Sequence, residues 1–176
     1  MEKILKRYSI IGFIFTGIMG VLLHFLYGLT GKSIIVAPFS AVNESTWEHM
    51  KLLFFPLLIF AIAEYRLLGK SYGSFWCIKL SGTSAGLLTI PFLFYTYKGA
   101  LGASADWFNI AIFFIAAAVA LLLEMRLLKQ NISCPLPPAV AVGALLLTAV
   151  LFVTFTFAPP RIPLFTDPLT GKAGII

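Results

Sequence analysis

Histidine and carboxylate side chains gather in one part of this sequence, where they could bind a metal ion. His49 follows Glu44 and Glu48 within the segment 43–51, and His24 is the second histidine of the chain. Imidazole nitrogens and carboxylate oxygens are ligands that suit zinc, manganese and iron. If a helix begins at Asn43, Glu44 and Glu48 lie one turn apart on one face and repel unless a proton or cation lies between them. His24, Glu44, Glu48 and His49 are therefore the candidate metal ligands.

The same segment also has an explanation that requires no ligand. Ser45-Thr46-Trp47-Glu48 is a capping-box pattern, in which the Ser hydroxyl and the Glu carboxylate each bind a backbone amide at a helix start. The H-E-x-x-H spacing of metal-binding helices is missing from the sequence. A hydrogen-bonded network that fixes the loop is the alternative to a metal. The candidate ligand-binding residues are the polar and aromatic side chains of this region and of the C-terminal tail: Asn43, Glu44, Trp47, Glu48, His49, Lys51, Arg161 and Asp167.

The elements that must position these residues are membrane helices. The 176 residues are 60% hydrophobic and only 11% charged, whereas a soluble domain carries roughly 25% charged residues. The net charge of +6 comes from cations scattered between apolar runs, which excludes the basic face of a nucleic-acid binder. Spans of about 20 apolar residues cross a bilayer. The sequence predicts an all-α membrane protein, a single integral membrane domain with a five-helix transmembrane bundle, its spans at 10–27, 52–68, 80–97, 107–123 and 138–158.

The distribution of cations predicts the orientation of the bundle. With the N-terminus in the cytoplasm, eight of the 13 Lys and Arg residues lie on the inner side. Both histidines and four of the seven acidic residues then lie at the outer side, with the C-terminus. Cys77 and Cys134 lie near the reducing cytoplasmic face, where no disulfide is expected. The reverse orientation would make the two cysteines a disulfide candidate, so their redox state tests the orientation.

A shift of 60 residues aligns the second and third spans with the fourth and fifth, so that Glu64 falls on Glu124. Two tandem parallel helical hairpins after the first helix would give this pattern, although apolar spans also align readily by composition. The two carboxylates near the inner helix ends predict either salt-bridged helix ends or a proton or cation site.

Gly82 and Gly86 form a small-residue face. That face predicts close packing against another span, with a homodimer as the alternative.

The tail at 159–176 cannot continue the last helix, because Pro159, Pro160, Pro163 and Pro168 interrupt it. Its apolar side chains favour burial. The sequence therefore predicts an extended tail that folds back over the outer face as a lid, with Arg161 and Asp167 reaching the Glu and His residues; a disordered C-terminus is the alternative.

Several strings of this chain match those of a known family: His24-Phe25-Leu26-Tyr27, Asn43-Glu44-Ser45 with Trp47-Glu48-His49 and Lys51, Phe94-Tyr95-Thr96-Tyr97, and the tail from Pro159-Pro160 through Asp167-Pro168 to Thr170-Gly171. With them the chain resembles a small bacterial family of multi-pass membrane proteins known only as a domain of unknown function. The resemblance covers nearly the whole chain, apart from Ala173, where an aromatic residue is expected. It implies a protein of the bacterial cell membrane and implies no activity.

Three functions follow from these features. The first is a polytopic membrane protein whose extracytoplasmic polar pocket binds a small ligand or cation in a structural, sensory or transport-accessory role. The second is a membrane-embedded hydrolase, in which a divalent transition metal such as zinc activates water against a lipid or cell-wall precursor. The third is a small secondary transporter, which would need polar residues at mid-membrane, where these spans carry little beyond hydroxyls.

Overall fold

The computed structural model of the protein describes residues 2–102 and 106–175, without the side chains of Lys70 and Asp106. In this described part the chain forms five α-helices and two short 3-10 turns. The helices are α1 (Glu2–Leu29), α2 (Thr46–Leu67), α3 (Phe75–Leu101), α4 (Asp106–Lys129) and α5 (Pro138–Phe157), and the turns are Gly69–Ser71 and Pro163–Phe165. The prediction of an all-helical bundle is confirmed.

Four of the helices, α1, α3, α4 and α5, are long and apolar enough to cross a membrane. The chain is therefore a helical membrane protein. The helix α2 also has the length of a span, with 22 residues, but is not one of these four. It is also the central helix, since it packs against all four others and buries most of its side chains. Its buried charged residues Glu48, Lys51 and Glu64 are thereby shielded from lipid by protein, whereas Arg66 is exposed.

The helices α3 and α4 approach each other closely because of two glycines. A Cβ atom added at Gly86 would lie 2.9 Å from the carbonyl oxygen of Ala116, and one at Gly82 would lie 2.8 Å from that of Ala120. Only glycine therefore fits these positions of α3. The small-residue face predicted at Gly82 and Gly86 is used inside the chain, where α4 packs against it.

The second hairpin of the suggested repeat differs in packing from the first. The helices α2 and α3 pack against each other, whereas α4 packs mainly against α3 and α1, and α5 packs against α3 and α2. The packing of α4 and α5 therefore does not repeat the packing of α2 and α3.

The cysteines lie together at one end of the bundle. Cys77 near the start of α3 and Cys134 in the loop before α5 form a disulfide, with Cα atoms 6.3 Å apart. The backbone amide of Cys134 also donates to the Ser74 hydroxyl at 3.1 Å. The expectation that no disulfide forms is contradicted, because the α4–α5 loop folds back onto the start of α3. We call this the disulfide end, and the opposite end, where α1 and α5 finish and α2 begins, the pocket end.

Candidate metal centre and ligand pocket

A cavity of about 500 Å³ opens at the pocket end, between α1, α2, α3 and α4. Its volume falls within the range of about 300–1,000 Å³ that is typical of small-molecule sites. Its wall combines polar side chains with aliphatic and aromatic ones. The polar lining residues are His24, Glu44, Thr46, His49 and Asn109, and Pro168 and Leu169 of the tail lie at the rim.

Three of the four predicted metal ligands meet in this cavity. Nε2 of His49 lies 3.4 Å from one carboxylate oxygen of Glu44, and Nε2 of His24 lies 3.8 Å from the other. One ligand atom from each residue falls within 4.8 Å of the other two. The three side chains are about a quarter to under a half exposed. They are therefore accessible from the cavity and close enough to share one ion.

The loop between α1 and α2 brings these residues together. The Ser40 hydroxyl is buried against α1, where it accepts a hydrogen bond from the Tyr27 amide at 2.8 Å and donates to the Leu23 carbonyl. The hydroxyl thus takes the place of one helix hydrogen bond beside His24. This insertion holds the loop against the last turns of α1, so that Glu44 at the loop's end faces His24.

The ring of His49 is oriented by its own backbone. Nδ1 of His49 lies 2.9 Å from the carbonyl oxygen of Ser45, one helical turn earlier. A carbonyl oxygen can only accept, so Nδ1 carries the hydrogen in this contact. In the neutral ring, Nε2 then presents a lone pair to the Glu44 carboxylate. This is the backbone-anchored arrangement by which proteins orient metal-ligating histidines.

Glu48, the fourth predicted ligand, faces away from the other three. Its carboxylate lies 2.5 Å from Nζ of Lys51 and accepts from the Val42 amide at 3.0 Å. The buried ammonium of Lys51 also donates to the Ala37 carbonyl at 2.8 Å and to the Thr156 hydroxyl at 2.9 Å. Lys51 therefore ties α2 to the preceding loop and to α5, which gives Glu48 a structural role.

The helix start explains why Glu44 and Glu48 separate. The N-cap of α2 is Ser45, whose hydroxyl accepts from the Glu48 amide at 3.4 Å. Glu44 thus precedes the helix, and the stacking of two carboxylates on one face does not occur. The capping box is formed only in part, because the Ser45 amide donates to Asn43 Oδ1 at 2.9 Å rather than to Glu48.

The C-terminal tail folds back over the pocket end. Asn43 donates to the Gly174 carbonyl at 2.8 Å, and Trp47 packs against Phe165 of the tail with ring centroids 4.7 Å apart. Asp167 is buried, and its carboxylate accepts from the Leu169 amide and the Thr170 hydroxyl, so it shapes the tail's own turn. Arg161 is exposed and forms no ion pair within the described part of the chain. Neither Arg161 nor Asp167 is among the residues that line the pocket.

A second polar cluster lies near the disulfide end. Nζ of Lys79 in α3 lies 2.5 Å from a carboxylate oxygen of Glu64 in α2 and 2.5 Å from one of Glu124 in α4. All three side chains are buried. The two carboxylates of the 60-residue alignment therefore meet at one lysine. Lys79 was not singled out from the sequence, since only the packing of three helices shows that it is buried between two acids.

Comparison with known proteins identifies a family and adds no activity. No curated protein and no solved structure matches this chain. A family model described as "Family of unknown function (DUF6512)" matches residues 1–175, which is nearly the whole chain. The chain therefore belongs to DUF6512, a family of unknown function.

Proposed function

We propose that this membrane protein binds a divalent transition metal ion, zinc being the first choice, with His24, Glu44 and His49 as ligands. The observation that carries the proposal is the pair formed by Nε2 of His49 and the Glu44 carboxylate, 3.4 Å apart. Both atoms present lone pairs, because the histidine hydrogen is used on the Ser45 carbonyl. In this neutral form the two acceptors repel unless a proton or a cation lies between them, and we assign a metal cation to that place.

The partners of the other carboxylates support this choice. Among the acidic side chains that the structure describes, Glu44 alone is paired only with histidines. The rest have a lysine or hydrogen-bond donors of the chain: Glu2 with Lys129, Glu48 with Lys51, Glu64 and Glu124 with Lys79, and Asp167 within its turn. A metal would supply the charge that Glu44 lacks.

The spacing of the three ligands also fits a tetrahedral centre. Zinc binds His nitrogens and carboxylate oxygens at about 2.0–2.1 Å, which separates neighbouring donor atoms by about 3.3 Å. The observed 3.4 and 3.8 Å separations, each to a different oxygen of Glu44, are near this value, and one donor atom from each of the three residues lies within 4.8 Å of the others. Small side-chain rotations would complete the geometry. A fourth coordination position would remain for water or a ligand in the cavity.

The test is metal binding by protein purified in detergent. We expect about one zinc ion per chain after loading and dialysis, measured by elemental analysis, and loss of that ion in Glu44→Gln and His49→Gln. The matched control is Glu2→Gln, which removes an exposed carboxylate paired with Lys129 and should keep the ion. The proposal is wrong if wild type retains no ion, or if Glu44→Gln retains as much as the control.

We further propose that the protein lies in a bacterial cell membrane with its N-terminus in the cytoplasm and its C-terminus outside. The excess of Lys and Arg at the disulfide end supports this orientation. The disulfide favours the reverse, because cytosolic disulfides are rare. In a Cys77→Ser, Cys134→Ser background, an impermeant maleimide added to intact cells should label Lys172→Cys but not Gln130→Cys. The opposite pattern would reverse the orientation.

Hydrolysis is the second candidate function. It is favoured by the fourth position left by three protein ligands, which is where catalytic zinc sites hold the water that they activate. Zinc-loaded wild type would then convert a phospholipid extract into products resolved by chromatography, and Glu44→Gln would not. An unchanged extract would exclude phospholipid hydrolysis.

A further inference from the structure

The pocket is lined by polar and by apolar side chains, and some of the apolar ones are exposed at the surface of the bundle. We propose that it binds a membrane amphiphile with one hydrocarbon chain and a singly charged anionic head group, and that the head group takes the open position of the metal. The proposal rests on the metal centre above and assigns the class of ligand that this centre recognises. Four features of the pocket lead to it.

The first feature is the rim. Val21 and Phe25 of α1 and Ile110 of α4 line the cavity, yet they are 47%, 58% and 59% exposed. Both helices are membrane spans by length and composition. Side chains that are exposed on such spans face lipid, so the cavity opens sideways between α1 and α4. A ligand that already resides in the bilayer can enter there without crossing water.

The second feature is the apolar wall behind this opening. Ile90 and Phe94 of α3, together with Ile112, Phe113 and Phe114 of α4, supply aliphatic and aromatic lining to the cavity. Burial of hydrocarbon against such surface contributes roughly 25 cal/mol per Å². The total volume of about 500 Å³ is that of a drug-sized ligand. We therefore assign one hydrocarbon chain to the site.

The third feature is the charge of the metal centre. Two neutral imidazoles, one carboxylate and a divalent ion leave one net positive charge. In surroundings of low dielectric constant an unpaired charge is costly. A head group with a single negative charge neutralises it, whereas a zwitterion adds no net charge.

The fourth feature is Asn109, which lines the pocket from α4. Its side-chain oxygen is buried and has no hydrogen-bond partner within the described chain. A hydroxyl on the head group would supply the missing donor. A hydroxylated, singly anionic, single-chain lipid combines all of these requirements, and lysophosphatidylglycerol is a probe with this chemistry.

The experiment measures binding of a myristoyl lysophosphatidylglycerol to the zinc-loaded protein in phosphatidylcholine nanodiscs. We expect the lysophosphatidylglycerol to bind at least about tenfold more tightly than the lysophosphatidylcholine with the same chain. We expect no binding of glycerophosphoglycerol, which has the head group and no chain. Removal of zinc with a chelator should weaken lysophosphatidylglycerol binding by about tenfold or more.

Two variants test the pocket itself. Val21→Trp fills the entrance from α1 and should reduce lipid binding about tenfold while zinc binding stays unchanged. Ile14→Trp is the matched control, because Ile14 is 54% exposed on the same helix and does not line the cavity. Its lipid binding should equal that of wild type.

The outcomes separate this inference from the metal proposal. If zinc binds but the two lysophospholipids bind equally, or if Val21→Trp binds lipid as Ile14→Trp does, the ligand assignment is overturned and the metal centre stands. If zinc does not bind, the metal centre and the head-group position at the metal are both overturned. Selective, zinc-dependent binding that Val21→Trp reduces supports both.

Discussion

Replacing Lys51 by Met should be among the most destabilising single changes at the pocket end. The ammonium is fully buried and has three oxygen partners, on Glu48, Ala37 and Thr156. Without it, the Glu48 carboxylate remains buried with only the Val42 amide as a donor from the loop. Removing one partner of a buried ion pair costs about 3–5 kcal/mol. We expect the free energy of unfolding to fall by that amount.

The double variant Glu48→Gln, Lys51→Met identifies the physical cause. It removes both charges, and the Gln side-chain oxygen can still accept from the Val42 amide. Replacement of a whole buried pair by uncharged side chains is often close to neutral. We therefore expect the double variant to recover at least about 2 kcal/mol relative to Lys51→Met.

The measurement is unfolding in mixed micelles by increasing fractions of SDS, followed by tryptophan fluorescence. Trp47 reports on this region because its ring lies 4.5 Å from that of Phe152 and 4.7 Å from that of Phe165, centroid to centroid. Lys172→Met is the matched control, because Lys172 is exposed. The reasoning is refuted if Lys51→Met changes the free energy of unfolding by no more than this control, or if the double variant is less stable than Lys51→Met.

The remaining predictions concern the other end and the helix contacts. Lys79→Met should lower the free energy of unfolding by about 3–5 kcal/mol in the same titration, because it leaves two buried carboxylates without a cation; a loss below about 1 kcal/mol would contradict this. Gly86→Val should reduce the folded fraction seen by size exclusion, since its side chain meets the α4 backbone, whereas Gly143→Val has open space and should behave as wild type. Cys77 and Cys134 should resist alkylation until a reductant is added; labelling of both without reductant would show that they are unpaired.

The helices could be predicted from the sequence because long apolar runs have few alternatives in a membrane protein. The helix ends could not be predicted, because a hydropathy window locates the apolar stretch and not the residues that form helical hydrogen bonds. The first span was predicted at 10–27, whereas α1 begins at Glu2. The polar turns of α1 before residue 10 extend beyond the apolar run. Pairing of the helices was also beyond prediction, since apolar spans of similar composition carry little information about their neighbours.

The sequence predicted the residue types of the candidate site, but only some of the residues that form it. His24 and His49 are the only histidines of the chain, and a short connection brings the ends of consecutive spans together. Glu44 and Glu48 could not be distinguished in this way, because they differ by one helical turn. The N-cap at Ser45 decides between them: Glu44 stays in the loop and faces the cavity, while Glu48 turns towards the buried Lys51.

Two buried lysines distinguish most of the buried carboxylates of this chain from Glu44. A lysine beside an apolar run ordinarily extends its ammonium to the membrane surface. In the bundle both ammonium groups are buried instead, and each connects carboxylates or carbonyl groups of different segments. These lysines account for three of the buried carboxylates. Glu44 differs from those three by facing imidazoles in an open cavity, and that contrast directs the functional proposal to the pocket end.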